Sequence, residues 1–209
     1  MSIKNIPILM YHSIESMPKE TVMRSLHVPT HRFEFQMMLL KTLGYKALSI
    51  RKLKPYLNGE KVGKVIGITF DDGYENNLIN AAPILKKYNF SATCYLVSNR
   101  LGSSNIWDKD KGITQRPLMT KDQVMKWLYL GMDIGAHSKS HPDLTVIAKN
   151  DIFQEIIGSK IELEDYFQVP IRDFCYPFGN FNEFVVNTVR DAGYFSATTM
   201  IRGKVGSES

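Results

Sequence analysis

Short apolar runs that alternate with segments of helical length restrict the fold of this 209-residue sequence more than any other feature. Several of the runs are almost continuously apolar, which is typical of parallel strands covered on both faces. The repeated β-α order predicts an α/β protein whose parallel strands, about seven in number, form a distorted barrel. A doubly wound open sheet is the alternative. The predicted strands are residues 6–11, 45–49, 65–70, 92–97, 132–136, 173–176 and 194–199.

The segments between the strands carry helix start and stop signals. Thr120 and Gln123 have the spacing of a capping box, and Gly131 can end the helix that they begin. Asn182 can cap a helix over residues 183–192. The apolar spacing predicts further helices that end near Gly44, follow Gly73 and span residues 152–167.

Composition excludes several classes of protein. Apolar residues make up 44% of the sequence and charged residues 22%, which is typical of a globular domain and not of a disordered or collagen-like chain. No apolar run approaches the roughly 20 residues of a transmembrane helix. The formal net charge is +5, but the basic residues are scattered, so the sequence does not indicate a nucleic-acid partner. Contact with an anionic membrane surface stays open.

The cysteines and the amino terminus bear on the cellular compartment. Cys94 and Cys175 are too few for a disulfide framework and lie in apolar runs, so we expect buried thiols. No apolar leader with a small-residue cleavage site follows Met1. We therefore expect a cytoplasmic protein if the sequence begins at its natural start, and an extracellular or cell-envelope protein if a leader was removed. The oligomeric state stays open.

Two adjacent carboxylates, Asp71 and Asp72, follow the predicted strand 65–70 and precede Gly73. This order places them at the carboxyl end of a strand, where α/β folds carry their active sites. Neighbouring residues of a strand point to opposite faces, but a bend directly after the strand would let both carboxylates face one pocket. An Asp-Asp-Gly sequence also suits a plain turn, and the segment taken alone favours the turn.

Two histidines, His137 and His141, follow the predicted strand 132–136 and are four residues apart. On a helical turn that spacing puts both imidazoles on one face, where they can bind one metal ion. With Asp72 or Asp71 they make a set of two histidines and one carboxylate. That set suits Zn²⁺ with an open position, or another divalent transition metal. Two unconnected loop histidines are the alternative.

Weaker signals lie beside other predicted strands. Residues 176–179 combine aromatic residues with proline and glycine, which can wall a sugar pocket or form an ordinary turn. His12 follows the first strand and, taken alone, is more typical of a structural residue at the edge of the core. Two loops, 13–30 and 98–119, are long enough to form the rim of a binding site.

In this order, the motifs resemble those of the polysaccharide deacetylases of carbohydrate esterase family 4, the NodB-homology domain, at residues 69–73, 137–141 and 175–179. The resemblance covers nearly the whole chain. Cys175 stands where the third motif has arginine, and no histidine follows His141, although the family usually takes its general acid from a later Leu-x-His motif. Tyr11 and His12 resemble instead the circularly permuted branch, which includes poly-β-1,6-N-acetylglucosamine N-deacetylases and takes its acid histidine from an amino-terminal Tyr-His.

The resemblance implies a fold, a reaction and a cofactor. The fold is a distorted (β/α) barrel of the NodB type, in a single domain over residues 1–209 that is short at its carboxyl end. The reaction is the removal of N-acetyl groups from an N-acetylated oligo- or polysaccharide that contains N-acetylglucosamine. The cofactor is a divalent metal, Zn²⁺ by default and Co²⁺ or Ni²⁺ as alternatives.

The resemblance also implies residue roles. Asp71 is the expected general base and His12 the expected general acid. The expected metal ligands are Asp72, His137 and His141. The backbone N–H of Phe178 is expected to stabilise the oxyanion, and further substrate contacts are expected from Tyr176, Pro177, Gly179, Tyr11 and Tyr74, with Trp107 as another residue that could stack on a sugar.

Two other functions are compatible with the same residues. One is a cytoplasmic hydrolase of a lipid-linked or nucleotide-linked amino sugar, which the absence of a leader and the +5 charge favour. The other is a catalytically silent carbohydrate-binding relative, which would explain the missing arginine and the short carboxyl end. A silent relative would, however, have no need of Asp71 and His12.

Overall fold

The structure, a computed structural model, describes residues 6–201, and within them seven parallel strands form one sheet. Every predicted strand is confirmed, and each one begins and ends within two residues of the predicted first and last residues. The alternating apolar runs were therefore a reliable signal for this architecture. The strands are β1 (Ile8–Tyr11), β2 (Lys46–Leu48), β3 (Val65–Phe70), β4 (Thr93–Leu96), β5 (Asp133–Ala136), β6 (Asp173–Cys175) and β7 (Ser196–Thr198).

Strand β3 organises the sheet, whose order is β1-β3-β4-β5-β6-β7 with β2 paired to β3 outside this path. Gly67 pairs with both Ile8 and Leu48, so β1 and β2 lie on opposite edges of β3. Strand β4 pairs with β3 only at Thr69 and Phe70, beyond the point where β2 stops. The sheet curls into a half-barrel of the predicted NodB type, and the doubly wound alternative is not what forms.

Seven α-helices within the described residues pack on the sheet: α1 (Thr30–Thr42), α2 (Ile50–Leu57), α3 (Ala82–Lys87), α4 (Lys121–Tyr129), α5 (Lys149–Phe153), α6 (Ser159–Phe167) and α7 (Glu183–Asp191). The predicted capping box of α4 is confirmed, because Gln123 N–H donates to Thr120 Oγ1 at 3.2 Å and Thr120 N–H to Gln123 Oε1 at 2.8 Å. A π turn, Gln154–Gly158, joins α5 to α6, so the helix predicted over residues 152–167 is longer and locally widened.

The core lies between the sheet and the helices. Trp127 of α4 is fully buried, and its indole N–H donates to the carbonyl of Asp133 at 2.9 Å. Both cysteines, Cys94 and Cys175, are buried and free, as expected. Between residues 6 and 201, the structure contains no helix whose length and hydropathy would suit it to span a bilayer. The larger buried side chains of the main core include Phe33, Met37, Phe70, Leu85, Leu96, Leu163 and Phe174.

Candidate active site

The carboxyl ends of four strands, β1, β3, β5 and β6, meet around one cavity of about 390 Å³. The polar residues that line it are His12, Asp71, Asp72, Asp108, Lys111, His137, His141 and Tyr176. Trp107, Phe178, Gly179 and a group of aliphatic side chains complete the wall. The carboxyl ends of the parallel strands thus bring together motif residues that are up to 167 positions apart in the sequence, between His12 and Gly179.

The two adjacent carboxylates face the same cavity because the chain bends directly after β3. Asp72 and Gly73 both adopt left-handed backbone conformations, with φ of 73° and 80°. A Cβ at Gly73 would also lie 2.8 Å from Leu96 Cδ2, so a larger residue would not fit there. The segment is therefore both a turn and part of the site, which resolves the two interpretations left open by the sequence.

Three potential ligand atoms form a compact triangle in the cavity. Asp72 Oδ1 lies 3.5 Å from His137 Nε2 and 3.4 Å from His141 Nε2, and the two nitrogens are 3.2 Å apart. Ligands about 2.0–2.2 Å from a tetrahedral metal are separated by about 3.3–3.6 Å. The two distances from Asp72 fall within this range and the distance between the imidazole nitrogens is slightly shorter, so the residues fit a metal ion that keeps a further position open.

Hydrogen bonding supports the same interpretation. His137 Nδ1 lies 2.8 Å from the carbonyl oxygen of Cys175, which can only accept, so Nδ1 carries the hydrogen and Nε2 presents its lone pair. Asp72 Oδ1 is buried and has no hydrogen-bond donor among residues 6–201. A buried carboxylate oxygen without a donor is costly in a folded protein, and a cation between the three atoms would satisfy it.

The charges of the triangle also suit a cation. Burial opposes ionisation of Asp72, but the facing imidazoles of His137 and His141 outweigh it and hold the pKa of this carboxyl well below its usual range. Burial lowers the pKa of His141, which favours its neutral imidazole. Burial also opposes protonation of His137, but its contacts with Cys175 and Asp72 outweigh burial and raise its pKa, so a metal ion would compete with a proton at this imidazole. An ionised carboxylate and neutral imidazoles are the forms that bind divalent metals.

The two histidines lie on a loop and not on a helical turn, so the prediction of a shared helix face is wrong. Ser138 and His141 have positive φ angles of 62° and 66°, which interrupt any helix. His141 N–H donates to Ser138 Oγ at 2.9 Å and closes the loop. Such conformations cost of order 1–3 kcal/mol each for residues other than glycine. The imidazoles therefore converge through backbone strain and not through helical spacing.

Asp71 lies beside the triangle and is also buried. Its Oδ2 accepts a hydrogen bond from the thiol of Cys175, at 3.5 Å, and its Oδ1 has no donor in the described part of the chain. Burial raises the pKa of Asp71, although the nearby His12 and His137 oppose the rise. Burial likewise raises the pKa of Cys175 to about 11, so the sulfur carries its proton at neutral pH. A thiol therefore takes the place of the motif arginine beside this carboxylate.

An aromatic wall covers one side of the triangle. Trp107 stacks on His141 with ring centroids 4.5 Å apart and planes 19° from parallel, and Phe178 contacts the same imidazole edge-on at 4.6 Å. The ammonium of Lys111 lies 3.9 Å from the centre of the Phe178 ring. Trp107 and Lys111, with Asp108, come from the loop predicted to form a rim. Asp108 and Lys111 were missed from the sequence, where only the length of that loop pointed to them.

The third motif contributes to the cavity in part. Tyr176, Phe178 and Gly179 line it, whereas Pro177 is buried and is not among the lining residues. Phe178 has a left-handed conformation, with φ of 58°. Gly179 has φ of 71°, and a Cβ there would lie 2.7 Å from Met200, so only glycine fits.

Two further residues that were predicted to contact the substrate, Tyr11 and Tyr74, do not line the cavity. Tyr11 is part of the core, where it packs edge-on against Phe33 with centroids 5.0 Å apart, and its hydroxyl donates to Gln36 Oε1 at 2.8 Å. Tyr74 is only 2% exposed and does not line the cavity. Neither ring has a free face for a sugar, so the expectation of stacking by these two tyrosines is corrected. His12, in contrast, lines the cavity as expected.

Comparison with known proteins agrees with this geometry. The sequence matches the family described as polysaccharide deacetylase over residues 58–197. It is 30% identical over 196 residues to YxkH of Bacillus subtilis (strain 168), which is named for the same family, covering 93% of this chain and 64% of that protein. It is 27% identical over 177 residues to the poly-β-1,6-N-acetyl-D-glucosamine N-deacetylase of Staphylococcus aureus, covering 81% of this chain and 60% of that protein.

A solved structure supports the fold. The Streptococcus pyogenes deacetylase PplD, in complex with acetate, aligns with a TM-score of 0.83 at 26% sequence identity, covering 99% of this chain and 88% of that chain. The chain spans less than two thirds of the two curated relatives named above. The chain thus shares its fold with this solved deacetylase and part of its sequence with the curated relatives.

Proposed function

The chain belongs to the polysaccharide deacetylase family, and on that premise we propose that it is a metal-dependent hydrolase. The proposed reaction removes N-acetyl groups from an oligo- or polysaccharide that contains N-acetylglucosamine. The observation that carries the proposal is the triangle of Asp72, His137 and His141, beside which Asp71 Oδ1 has no hydrogen-bond donor from residues 6–201. The name of the Staphylococcus aureus relative supports a poly-N-acetylglucosamine substrate.

The proposed metal ligands are Asp72 Oδ1, His137 Nε2 and His141 Nε2, and nitrogen and oxygen ligands in this number favour Zn²⁺, with Co²⁺ or Ni²⁺ as alternatives. When bound, such an ion polarises an acetamide carbonyl and lowers the pKa of water. The Cys175 carbonyl supports the set, because its hydrogen bond to His137 Nδ1 keeps Nε2 directed to the cavity.

Asp71 is the proposed general base. Its Oδ1 is free of hydrogen bonds from the described residues, so it can accept the proton of the attacking water. Its Oδ2 is held by the Cys175 thiol. Because burial raises the pKa of Asp71, its carboxylate is a stronger base than one exposed to solvent.

The remaining steps use Phe178 and His12. As the acetamide carbon becomes tetrahedral, negative charge develops on its oxygen, and we propose that the backbone N–H of Phe178 donates a hydrogen bond to that oxygen. His12, which directly follows β1, lines the same cavity and is the proposed donor of the proton that the departing amine needs. The products are acetate and a free amino sugar.

The decisive experiment measures acetate release from N-acetylglucosamine oligomers by Zn²⁺-reconstituted protein. Asp71→Asn and a chelator-treated sample are the controls. Release that requires both the metal and Asp71 supports the proposal. No release from a sample shown to hold equimolar Zn²⁺ would favour the silent carbohydrate-binding relative, in which case the same oligomers should still bind.

The rim of the cavity supports a second candidate substrate, a lipid-linked amino sugar. Aliphatic side chains form the outer wall, and Val22, Met23 and Met200 are about half exposed, at 48%, 52% and 52%. An apolar rim beside a polar centre suits an amphipathic molecule. If this candidate is correct, Met23→Ser raises KM for a detergent-solubilised lipid-linked amino sugar and leaves KM for soluble oligomers unchanged. Equal effects on both substrates would contradict it.

A further inference from the structure

Glu155, which the proposed mechanism does not use, is bound to the loop between the two histidines. Its Oε2 accepts hydrogen bonds from the backbone N–H groups of Lys139 and Ser140, each with an N–O distance of 2.8 Å, and its Oε1 accepts one from the hydroxyl of Ser140. Charged acceptors form the stronger hydrogen bonds of proteins. Glu155 lies in the π turn that joins α5 to α6, and π turns are often found beside functional sites.

The other polar groups of this loop are held by the scaffold as well. The carbonyls of Ser138 and Lys139 accept the backbone N–H groups of Ser98 and Asn99, at 3.2 and 3.1 Å. The short helical turn after β4, Ser98–Arg100, thus supports one side of the loop, and Glu155 supports the other. Without Glu155, two backbone N–H groups would lose their acceptor in a partly buried position.

This support matters because the loop holds His141 in an unfavourable backbone conformation. Positive φ angles at Ser138 and His141 bring the second imidazole to within 3.2 Å of the first. A loop of this kind, freed from its anchor, would relax toward ordinary backbone angles. The relaxation would separate the two imidazole nitrogens and lose the ligand triangle before it disturbed the core.

We propose that Glu155 is a positioning residue for the metal site, in that its carboxylate keeps the loop of residues 137–141 in the conformation that aligns His141 with His137 and Asp72. The inference rests on the proposed function for its metal, but it concerns a residue outside the family motifs described above. Part of the metal affinity would therefore depend on the π turn between α5 and α6, which contains Glu155, in addition to the ligands themselves.

Glu155→Ala, which removes the acceptor oxygens altogether, tests the proposal, with Glu162→Ala as the matched control. Glu162 lies on the same helical segment and accepts hydrogen bonds from Ser98 Oγ and Lys139 Nζ, both at 2.6 Å. Its bonds are to side chains, so its loss leaves the loop amides bound. The primary measurement is the Zn²⁺ dissociation constant, from competition with a chromogenic chelator. Thermal unfolding of each variant without metal is measured in parallel.

We expect Glu155→Ala to weaken Zn²⁺ binding on the order of 10-fold or more, as loss of outer-shell support does in other metal sites. Glu162→Ala should leave Zn²⁺ affinity within about 2-fold of the wild type. The metal-free melting temperatures of the two variants should be similar. If Glu155→Ala binds Zn²⁺ as tightly as the wild type, or if both variants lose affinity equally, the proposal is wrong.

Two further measurements keep the outcome interpretable. Ser140→Ala removes only the hydroxyl bond to Glu155 and serves if Glu155→Ala does not fold. It should weaken Zn²⁺ binding by less than Glu155→Ala, and unchanged affinity in this variant would count against the proposal if Glu155→Ala cannot be measured. Failure of the wild-type protein to bind Zn²⁺ would instead overturn the proposed metal site itself, which separates the two failures.

Discussion

Buried carboxylates lie at both ends of the parallel sheet, and the protein satisfies them in opposite ways. At the amino end, Asp133 at the start of β5 accepts the hydroxyl of Ser49 and pairs with Arg51 at 2.6 Å. Asp173 at the start of β6 accepts the hydroxyl of Ser196 at 2.7 Å. At the carboxyl end, Asp71 and Asp72 each leave one buried oxygen without a donor among residues 6–201.

The contrast separates structural from functional carboxylates. A carboxylate that serves the fold is given donors, because an unpaired buried charge costs stability. The carboxyl end instead combines unpaired oxygens with left-handed backbone at Asp72, Ser138, His141 and Phe178. These features do not help the chain to fold. Their concentration around one cavity indicates that this end is organised for a ligand.

The largest expected effect comes from Asp72→Ala. The substitution removes one of the three ligand atoms of the triangle, so we expect Zn²⁺ affinity to fall by more than the roughly 100-fold upper range of outer-shell changes. Acetate release should be lost with it. The protein with the matched change at the amino end, Asp133→Ala, should retain both its Zn²⁺ affinity and its acetate release. Chelator competition and activity assays on the two variants check this, and tight Zn²⁺ binding by Asp72→Ala would contradict the ligand assignment.

Asp71→Asn should have the next largest effect. Loss of a general base lowers kcat by about 10²- to 10⁴-fold, and Zn²⁺ binding should persist because Asp71 is not a proposed ligand. Since burial raises the pKa of Asp71, its ionised form opposes folding at neutral pH, and the neutral amide should leave the metal-free protein at least as stable. Kinetics and urea unfolding measure the two effects. A near-normal kcat would exclude Asp71 as the base.

Asp133→Ala should show the reverse pattern. The loss of a hydrogen bond from Ser49 and an ion pair with Arg51 should cost about 1.5–3 kcal/mol of unfolding free energy. The Arg51 side chain is largely exposed, so it is not left as a buried charge. The kcat and Zn²⁺ affinity of the folded protein should be unchanged. Urea unfolding measures the loss, and an unaltered midpoint would show that the amino-end carboxylates are not structural.

The sequence predicted the sheet better than it predicted the helices. Strand β3 was predicted with its observed bounds, because a continuously apolar run has one plausible place in a parallel sheet. Helix α2 was missed, since its eight residues include Pro55 and three basic side chains. Burial of Ile50 and Leu53 stabilises that helix, and such tertiary packing is not visible in local sequence.

The site shows a similar division. The motif residues that converge on the cavity follow strands, and parallel strands share one carboxyl edge, so their convergence could be predicted. The direction in which an aromatic side chain points could not be predicted. Tyr11, for example, is the last residue of β1 and can point either to the core or to the cavity. Asp108 and Lys111 lie in a six-residue 3-10 helix, Ile106–Lys111, which is too short to show a periodicity in the sequence. The single domain predicted over residues 1–209 stays a prediction, because residues 1–5 and 202–209 lie outside the described part of the chain.

The smallest expected effect concerns Asp173 and the pH dependence of stability. Burial raises the pKa of Asp173, and the nearby Asp133 adds to the rise. The hydrogen bond from Ser196 and the charges of Lys54 and Arg51 oppose the rise without cancelling it. The folded state therefore holds this proton more tightly than the unfolded state does. Stability then falls as the pH rises from the usual carboxyl pKa of 3.8 through the raised value.

Asp173→Asn tests this dependence. The amide has no proton to lose in that window, and its oxygen can still accept the Ser196 hydroxyl. The variant should therefore gain stability relative to the wild type as the pH rises through the window, by less than Asp133→Ala loses. Urea midpoints of both proteins, measured without metal from acidic to neutral pH, give the difference directly. A difference that does not change with pH would show that burial is compensated at Asp173. The two ends of the sheet would then differ even more sharply than their hydrogen bonds indicate, with uncompensated carboxylates confined to the cavity.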